Sequence, residues 1–159
     1  MRIFGIDPGL TGAIAVLEKD GTLVALSDLP ILTLDKTSWV DGSQLLSFLL
    51  DHRGTNGYQA VVEHVSSMPK QGVASSFKFG VGFGSLLGCL QAAAMPIALI
   101  RPAKWKRDLG LSGGDKHKSL ALARLNWPTA ELHLQKHDGR AEALLLAGWW
   151  RNRYLNQGA

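Results

Sequence analysis

Cysteine is almost absent from this chain, which has only Cys89 among its 159 residues. A single cysteine excludes a disulfide framework within the chain and leaves too few thiols for a cysteine-based zinc site. The N-terminus lacks the basic and apolar regions of a signal peptide. We therefore expect a reducing compartment, namely the cytoplasm, or the host cytoplasm if the source is viral.

Long hydrophobic runs are also scarce. The longest apolar stretches, LLGCLQAAAMPIALI and AEALLLAGWW, are too short or too interrupted to span a bilayer, so we expect no membrane association. Apolar residues make up 46% of the chain and charged residues 19%, which is typical of a folded globular protein. The length predicts one domain over residues 1–159.

Positive charge exceeds negative charge. The net charge of +4 and the isoelectric point near 9.4 favour a polyanionic partner. The basic residues are densest between Arg101 and Lys118, where they alternate with Trp105 and His117. This segment is the candidate nucleic-acid surface.

Hydrophobic periodicity and turn residues predict an α/β order of elements. An antiparallel meander of three strands comes first, at Arg2–Asp7, Ala13–Leu17 and Thr22–Leu26. Later strands are expected at Ala60–Glu63 and Ile97–Ile100, and the ranges Pro30–Asp41 and Ser66–Gly72 are expected to be loops. Helices are expected from Asp41 or Ser43 to about His52, from about Ala74 to Ala94, from Pro102 to Lys106, from Lys116 to Leu125 and from Asp138 to about Tyr154. The order predicts a mixed sheet with helices packed on it.

The predicted helix that begins near Ala74 is rich in glycine. Each interior glycine costs up to ~1 kcal/mol relative to alanine. So many of them suggest a helix that something approaches closely, and this helix is our candidate for a subunit interface.

Four acidic residues carry the predicted chemistry. Asp7 and Glu63 each end an apolar strand, so neighbouring strands would bring both carboxylates to one edge of the sheet. Asp138 and Glu142 are four residues apart and project from one face of the last helix. Clustered carboxylates need cations, and hard divalent cations take oxygen ligands. Two such ions can activate water and stabilise a leaving oxygen.

Each acid also has a simpler explanation. Asp7 and Glu63 could serve as turn or capping residues, and Asp138 could be the N-cap of the last helix. Glu142 could be a solvated residue paired with Lys136 or Arg140. The combination of two acids at strand ends with an acid pair opening the final helix is more specific than any one of them.

Three motifs resemble the RuvC family of Holliday junction resolvases. They are GIDPGLTGAIAV (5–16), VVEHV (61–65) and HDGRAEALLLAGWW (137–150), and they cover nearly the whole chain in the family's order. The resemblance implies an RNase H-like fold, with a mixed five-stranded sheet and helices on both faces. It also implies a homodimer, paired nicks in four-way junctions and two divalent cations, usually Mg²⁺, for which we expect Mn²⁺ to substitute. By motif, the catalytic and metal-binding residues are Asp7, Glu63, Asp138 and Glu142.

The chain departs from the family pattern at two places. Cellular RuvC enzymes usually end with two acids three residues apart, the second an Asp, whereas here the spacing is four and the last acid is Glu142. This leaves open whether Asp138 or His137 is the third member of the metal site, with His137 a possible outer participant. The aromatic wedge that often lies three residues after the catalytic Glu is replaced by Ser66. Met68 or Phe77 could substitute, although we expect Phe77 in the core.

The segment RPAKWKRDLGLSGGDKHKS (101–119) resembles the RuvC segment that carries phosphate-binding lysines, and Lys104 and Lys118 match best by position. A solvated helix face is the alternative. The full set of predicted DNA-binding residues is Lys70, Lys104, Lys106, Lys116 and Lys118. Branched DNA is the expected partner, and the sequence identifies no branch-migration partner.

Other functions use similar sequence features. A broader branched-DNA or flap nuclease, or a ribonuclease, would share the fold, and a catalytically silent junction-binding protein would share the basic surface. An ATP-binding relative of sugar kinases and actin also begins with a strand, an Asp and a glycine-rich turn. That fold needs two such domains and roughly twice this length, which disfavours it.

Overall fold

The structure is a computed structural model, and it describes residues 1–65, 72–111 and 116–155, without the side chain at position 116. The strands are β1 (Arg2–Asp7), β2 (Ala13–Glu18), β3 (Leu23–Asp28), β4 (Ile31–Leu34), β5 (Thr37–Val40), β6 (Tyr58–Glu63) and β7 (Ile97–Ile100). The helices are α1 (Gly42–His52), α2 (Val73–Ala92), α3 (Pro102–Asp108), α4 (Lys116–Asn126) and α5 (Asp138–Tyr154), the last preceded by a short 3-10 turn.

The main sheet has the order β3-β2-β1-β6-β7. Strands β1, β2 and β3 are antiparallel neighbours, whereas β6 runs parallel to both β1 and β7. The predicted mixed five-stranded sheet is therefore confirmed. Because β1 and β6 are parallel and adjacent, Asp7 and Glu63, their last residues, lie at the same edge.

Helices cover both faces of this sheet, as expected. Side chains alternate between the faces along each strand, and they divide the apolar interior into two clusters. The first joins Ile3 and Val61 to α5 and to Trp105 of α3. The second joins Phe4 and Val62 to α1 and α2.

Glycine allows the last helix to lie directly on the central strand. A Cβ atom added at Gly5 would overlap the carbonyl oxygen of Ala143 and would lie 2.8 Å from the Cβ of Ala147. The backbones of β1 and α5 therefore meet with no side chain between them. This close contact brings the start of α5 against the end of β1, where Asp7 lies.

The expectation of a loop at Pro30–Asp41 was wrong, because β4 and β5 form a separate antiparallel hairpin there. Its turn residues Asp35 and Lys36 have φ angles of 46° and 62°. Two consecutive left-handed residues fit a tight hairpin turn, whose usual sequence signal is Asn-Gly or Asp-Gly rather than Asp-Lys. Strand β3 also continues to Asp28, past the expected end at Leu26.

Helix α2 is largely exposed, and this corrects the expectation that Phe77 lies in the core. Phe77 is 65% exposed rather than part of the core, and Leu86 and Leu90 are the buried residues of the helix. Among the described residues, α2 alone is long and apolar enough to cross a membrane by length and composition. We had expected no such segment.

Candidate metal centre

Three carboxylates meet at the edge of the sheet. Ligand oxygens of Asp7, Glu63 and Glu142 all lie within 4.8 Å of one another. Strands β1 and β6 bring the first two together, and α5 supplies Glu142 from its second turn. Only 4% of Glu63 is exposed. Buried carboxylates at this separation require positive charge or protons to balance them.

Helix α3 supplies part of that balance. The Nζ atom of Lys106 lies 2.8 Å from Oε2 of Glu142 and 3.5 Å from Oε1 of Glu63. The indole of Trp105, which is fully buried, donates a hydrogen bond of 3.1 Å to the same Oε1 of Glu63. Because α3 follows β7, the neighbour of β6, the fold brings both side chains to the carboxylates.

The site remains short of positive charge. Burial, and then the nearby carboxylates of Glu63 and Glu142, raise the pKa of Asp7 to about 8, although Lys106 opposes the shift. Burial also raises the pKa of Glu63, again against Lys106. One ammonium cannot neutralise three carboxylates. A cluster of oxygen donors with excess negative charge is the environment that hard divalent cations select, so these residues fit such an ion.

The fourth predicted acid borders this cluster. Asp138 is the first residue of α5 and is outside the group of three, but its charge contributes to the raised pKa of Asp7. A Cβ atom added at Gly139 would lie 2.7 Å from the Thr11 carbonyl oxygen and 3.2 Å from Oδ2 of Asp7. The position three residues before Glu142 thus faces Asp7 but has no room for a side chain. An acid three residues before Glu142, at position 139, would therefore not fit in this structure.

His137 is buried beside this helix start, with only 5% of the residue exposed. Burial lowers its pKa, and its ring lies edge-on to that of His133, with centroids 5.1 Å apart. Its Nδ1 atom has no hydrogen-bond partner within the described part of the chain. His137 does not belong to the carboxylate group.

The structure separates the predicted DNA-binding lysines. Lys106 lies among the carboxylates, whereas Lys104 is exposed, with its Nζ atom 5.7 Å from the centroid of the Trp149 ring and 3.4 Å from the Tyr154 hydroxyl. Two residues span about 200° around a helix, so Lys104 and Lys106 must diverge. Lys118 is exposed on α4. Lys70, Ser66, Met68 and the side chain of Lys116 lie outside the described residues.

Sequence reasoning missed the roles of Trp105 and Lys106. Trp105 was noticed only as an aromatic residue within a basic segment, but a buried indole needs an acceptor for its N–H group. In this fold the acceptor is Glu63. A lone tryptophan between lysines, three residues after the proline that begins α3, was the available signal.

Fold and site together define an RNase H-like domain with a carboxylate cluster at the end of its central strands. No protein-family model matches the chain. The structure is similar to Thermus thermophilus RuvC in complex with a Holliday junction substrate, with a TM-score of 0.71, 19% identity and coverage of 98% of this chain and 96% of the other. A second Thermus thermophilus RuvC structure matches with a TM-score of 0.67, 19% identity and coverage of 98% and 97%.

Sequence similarity leads to the same group of proteins. The chain is 36% identical over 100 residues to the chloroplastic Holliday junction resolvase MOC1 of Chlamydomonas reinhardtii. The matched stretch is 61% of this chain but only 11% of that longer relative. The RNase H-like fold is thus confirmed, and the resemblance to RuvC is supported independently by a resolvase relative and by RuvC structures.

Proposed function

We propose that this chain is a metal-dependent DNA endonuclease that resolves four-way junctions by paired nicks. The observation that carries the proposal is the convergence of Asp7, Glu63 and Glu142 at the edge of a RuvC-like sheet. The similarity to a named Holliday junction resolvase supports the choice of substrate. The basic segment around α3 supports binding of a polyanion beside the carboxylates.

Mg²⁺ is the proposed cofactor, with two ions per site and Mn²⁺ as a substitute. Asp7, Glu63 and Glu142 would hold the metal, with Asp138 at the border of the site. Bound divalent cations would supply Lewis acidity for activating water and for stabilising the leaving oxygen. Trp105 fixes the orientation of Glu63 through its hydrogen bond. Lys106 keeps Glu63 and Glu142 together, and its ammonium is placed to contact a phosphate that enters the site.

DNA binding is proposed to extend along the basic segment. Lys104 and Lys118 expose their side chains and would contact phosphates outside the metal centre. Lys70 and Lys116 remain in the proposed set on sequence alone. Such contacts release counterions and position the duplex without reading its sequence.

A homodimer is part of the proposal, because a two-fold assembly matches two nicks on opposed strands of a symmetric junction. The exposed face of α2 is the candidate interface. Added Cβ atoms at Gly80, Gly84 and Gly88 would meet nothing within 4 Å, so another helix has room to approach this face closely. We propose a second copy there rather than a membrane, and a cytoplasmic location. Sedimentation as a strict monomer, free and on junctions, would contradict the dimer.

The decisive experiment is cleavage of a substrate panel by the purified chain. The panel contains four-way, three-way, flap and linear DNA together with an RNA–DNA hybrid, each with Mg²⁺, with Mn²⁺ or with chelator. We expect paired nicks in the four-way junction that depend on the metal. Preferential cleavage of flaps or hybrids would instead favour a broader nuclease or a ribonuclease on this fold. Tight junction binding without cleavage would favour a catalytically silent binding protein.

A further inference from the structure

An open pocket of about 410 Å³ lies outside the proposed chemistry of the carboxylates. His64, Arg101, Pro102 and Ala103 line it, after the ends of β6 and β7 and at the start of α3. The backbone N–H of His64 donates a hydrogen bond of 2.8 Å to the Ile100 carbonyl, which ties the two strand ends together. The segment that carries His64 is therefore tied to the end of β7, directly before Arg101.

The pocket is next to the carboxylate cluster along the chain, because His64 directly follows Glu63, the last residue of β6. His64 lies in a three-residue turn closed by a hydrogen bond of 3.1 Å from the backbone N–H of Val65 to the Glu63 carbonyl. The Cα atoms of Glu63 and His64 are ~3.8 Å apart. A nucleotide whose phosphate reaches Glu63 therefore has an adjacent base within reach of His64.

Aromatic rings form one side of this region. The imidazole of His64 is tilted 26° from the ring of Phe83, with centroids 6.4 Å apart. Phe83 in turn lies 6.1 Å from Phe79, with 20° between the ring planes. Phe83 is half-buried, whereas His64 is exposed. The imidazole therefore lies near a half-buried aromatic ring and is itself accessible to solvent.

Arg101 provides a planar cation in the lining of the same pocket. It is exposed, and it is the only arginine in the described part of the chain whose guanidinium has no hydrogen bond, ion pair or ring contact. Its neighbour Arg107, by contrast, pairs with Asp108. A guanidinium without such a partner, in the same pocket as an aromatic ring, can stack on a flat π-system or bind its polar edge.

We propose that His64 and Arg101 form a stacking subsite for an unpaired nucleobase next to the scissile phosphate. This inference rests on the proposed function and deepens it. Unpaired bases are held by stacking on aromatic rings, histidine included, and on guanidinium planes. The apolar wall of Pro102 and Ala103 favours a base over a bare phosphate, which would gain nothing from apolar surface.

The test is a double-mutant cycle in which one change is made in the protein and the other in the DNA. Single-turnover cleavage of four-way junctions with Mg²⁺ is measured with intact DNA and with an abasic site at each position that flanks the scissile phosphate. For the wild-type chain, one flanking abasic site should slow cleavage by about 5- to 150-fold, the range that base–aromatic stacking commonly contributes. His64→Ala should cause a similar loss on intact DNA and should then be insensitive to that abasic site.

Conservative variants separate stacking from charge. His64→Phe should restore sensitivity to the abasic site, because it retains an aromatic ring. Arg101→Ala should reduce that sensitivity, and Arg101→Lys should not restore it, because lysine keeps the charge but lacks the plane. The matched controls are His52→Ala and Arg53→Ala, which remove a stacked histidine and an arginine near Tyr58 at the opposite end of β6. Both controls should behave like wild type.

The proposal is overturned if His64→Ala retains the full effect of the abasic site, or if no flanking abasic site slows the wild-type chain. Restoration by Arg101→Lys would overturn the role of Arg101 as a stacking group. Each of these outcomes requires wild-type cleavage of the junction. Absence of that cleavage would instead refute the proposed function, so the two failures are distinguishable.

Discussion

The ammonium of Lys106 lies 2.8 Å from the carboxylate of Glu142, so a protein cation already lies within the carboxylate cluster. The same Nζ atom lies 3.5 Å from Glu63 but forms no ion pair with Asp7. Burial and the charges of Glu63 and Glu142 raise the pKa of Asp7, and Lys106 opposes this shift only in part. This arrangement makes Asp7 and Lys106 the most informative positions to change.

Asp7→Asn should abolish cleavage and leave junction binding nearly unchanged, because binding relies on the basic surface rather than on this carboxylate. Single-turnover cleavage with Mg²⁺ and a binding titration measure the two effects. Asp51→Asn, at an exposed position on α1, is the matched control and should cleave like wild type. Cleavage by Asp7→Asn at the wild-type rate would remove Asp7 from the site.

Lys106→Met should destabilise the metal-free protein, because Glu63 and Glu142 lose their counter-charge. Loss of one partner from a largely buried ion pair costs about 3 kcal/mol. Mg²⁺ should restore more stability to this variant than to wild type, and cleavage should fall more than junction binding. Thermal unfolding with Mg²⁺ and with chelator measures the first effect.

Lys104→Met is the matched comparison, since its exposed side chain lies outside the carboxylate cluster. In a plot of the logarithm of the DNA-binding constant against the logarithm of the salt concentration, Lys104→Met should reduce the magnitude of the slope by about one. The substitution should also weaken binding similarly for all DNA sequences. Cleavage at saturating enzyme should not change. Lys118→Ala should behave in the same way. Unchanged salt dependence in both variants would leave the basic segment without a demonstrated function.

The stability of the metal-free protein should decrease as pH rises from about 4 to about 8. The pKa of Asp7 is raised from 3.8 to about 8, so between these values the folded state holds a proton that the unfolded chain has released. Stability falls with pH wherever the folded state binds more protons. Since each pKa unit corresponds to about 1.36 kcal/mol, the effect is on the order of several kcal/mol.

Denaturant unfolding in chelator from pH 5 to pH 9 measures this dependence. Asp7→Asn removes the titrating group, so the variant should gain stability relative to wild type as pH rises. The difference between the two stability curves removes the contributions of other titrating groups. These include His137, whose lowered pKa affects both proteins alike. Mg²⁺ affinity should rise over the same range, because the metal competes with the proton. Parallel stability curves for the two proteins would contradict the assignment.

Much of this fold could be predicted from sequence because its signals are local. The continuous apolar runs of β1 and β2, and the acids that end β1 and β6, are visible in single segments. The sheet order placed those ends together as expected. The hairpin at 31–40 was missed because its Asp35-Lys36 turn lacks the usual glycine.

The unpredicted parts depend on contacts between distant segments. Lys104 and Lys106 are equivalent by charge and composition, and only the burial of Trp105 against Glu63 determines which lysine faces the carboxylates. Phe77 appeared apolar enough for the core, but Leu86 and Leu90 are the residues of α2 that face the sheet. Such choices follow from tertiary packing, which the local pattern of a single segment does not reveal.

Gly139→Ala tests whether the start of α5 positions the carboxylates. The added Cβ atom would lie 2.7 Å from the Thr11 carbonyl oxygen and 3.2 Å from Oδ2 of Asp7, so either the helix or the β1–β2 turn must move. Overpacking of this kind costs about 1–3 kcal/mol. A displacement of ~1 Å can reduce a catalytic rate about 100-fold, so cleavage should fall more than stability alone explains.

Gly42→Ala is the control for Gly139→Ala. This glycine opens α1, away from the proposed interface, and an added Cβ atom would lie 3.4 Å from Sγ of Cys89, an ordinary contact, so alanine should leave both folding and cleavage intact. Chemical unfolding and single-turnover cleavage with Mg²⁺ should be measured for both variants, at a temperature where both are folded. If Gly139→Ala cleaves like wild type, the close approach of α5 to Asp7 is not needed for the site. A folded Gly139→Ala variant that binds junctions but cleaves poorly would assign the positioning of Asp7 and Glu142 to this contact.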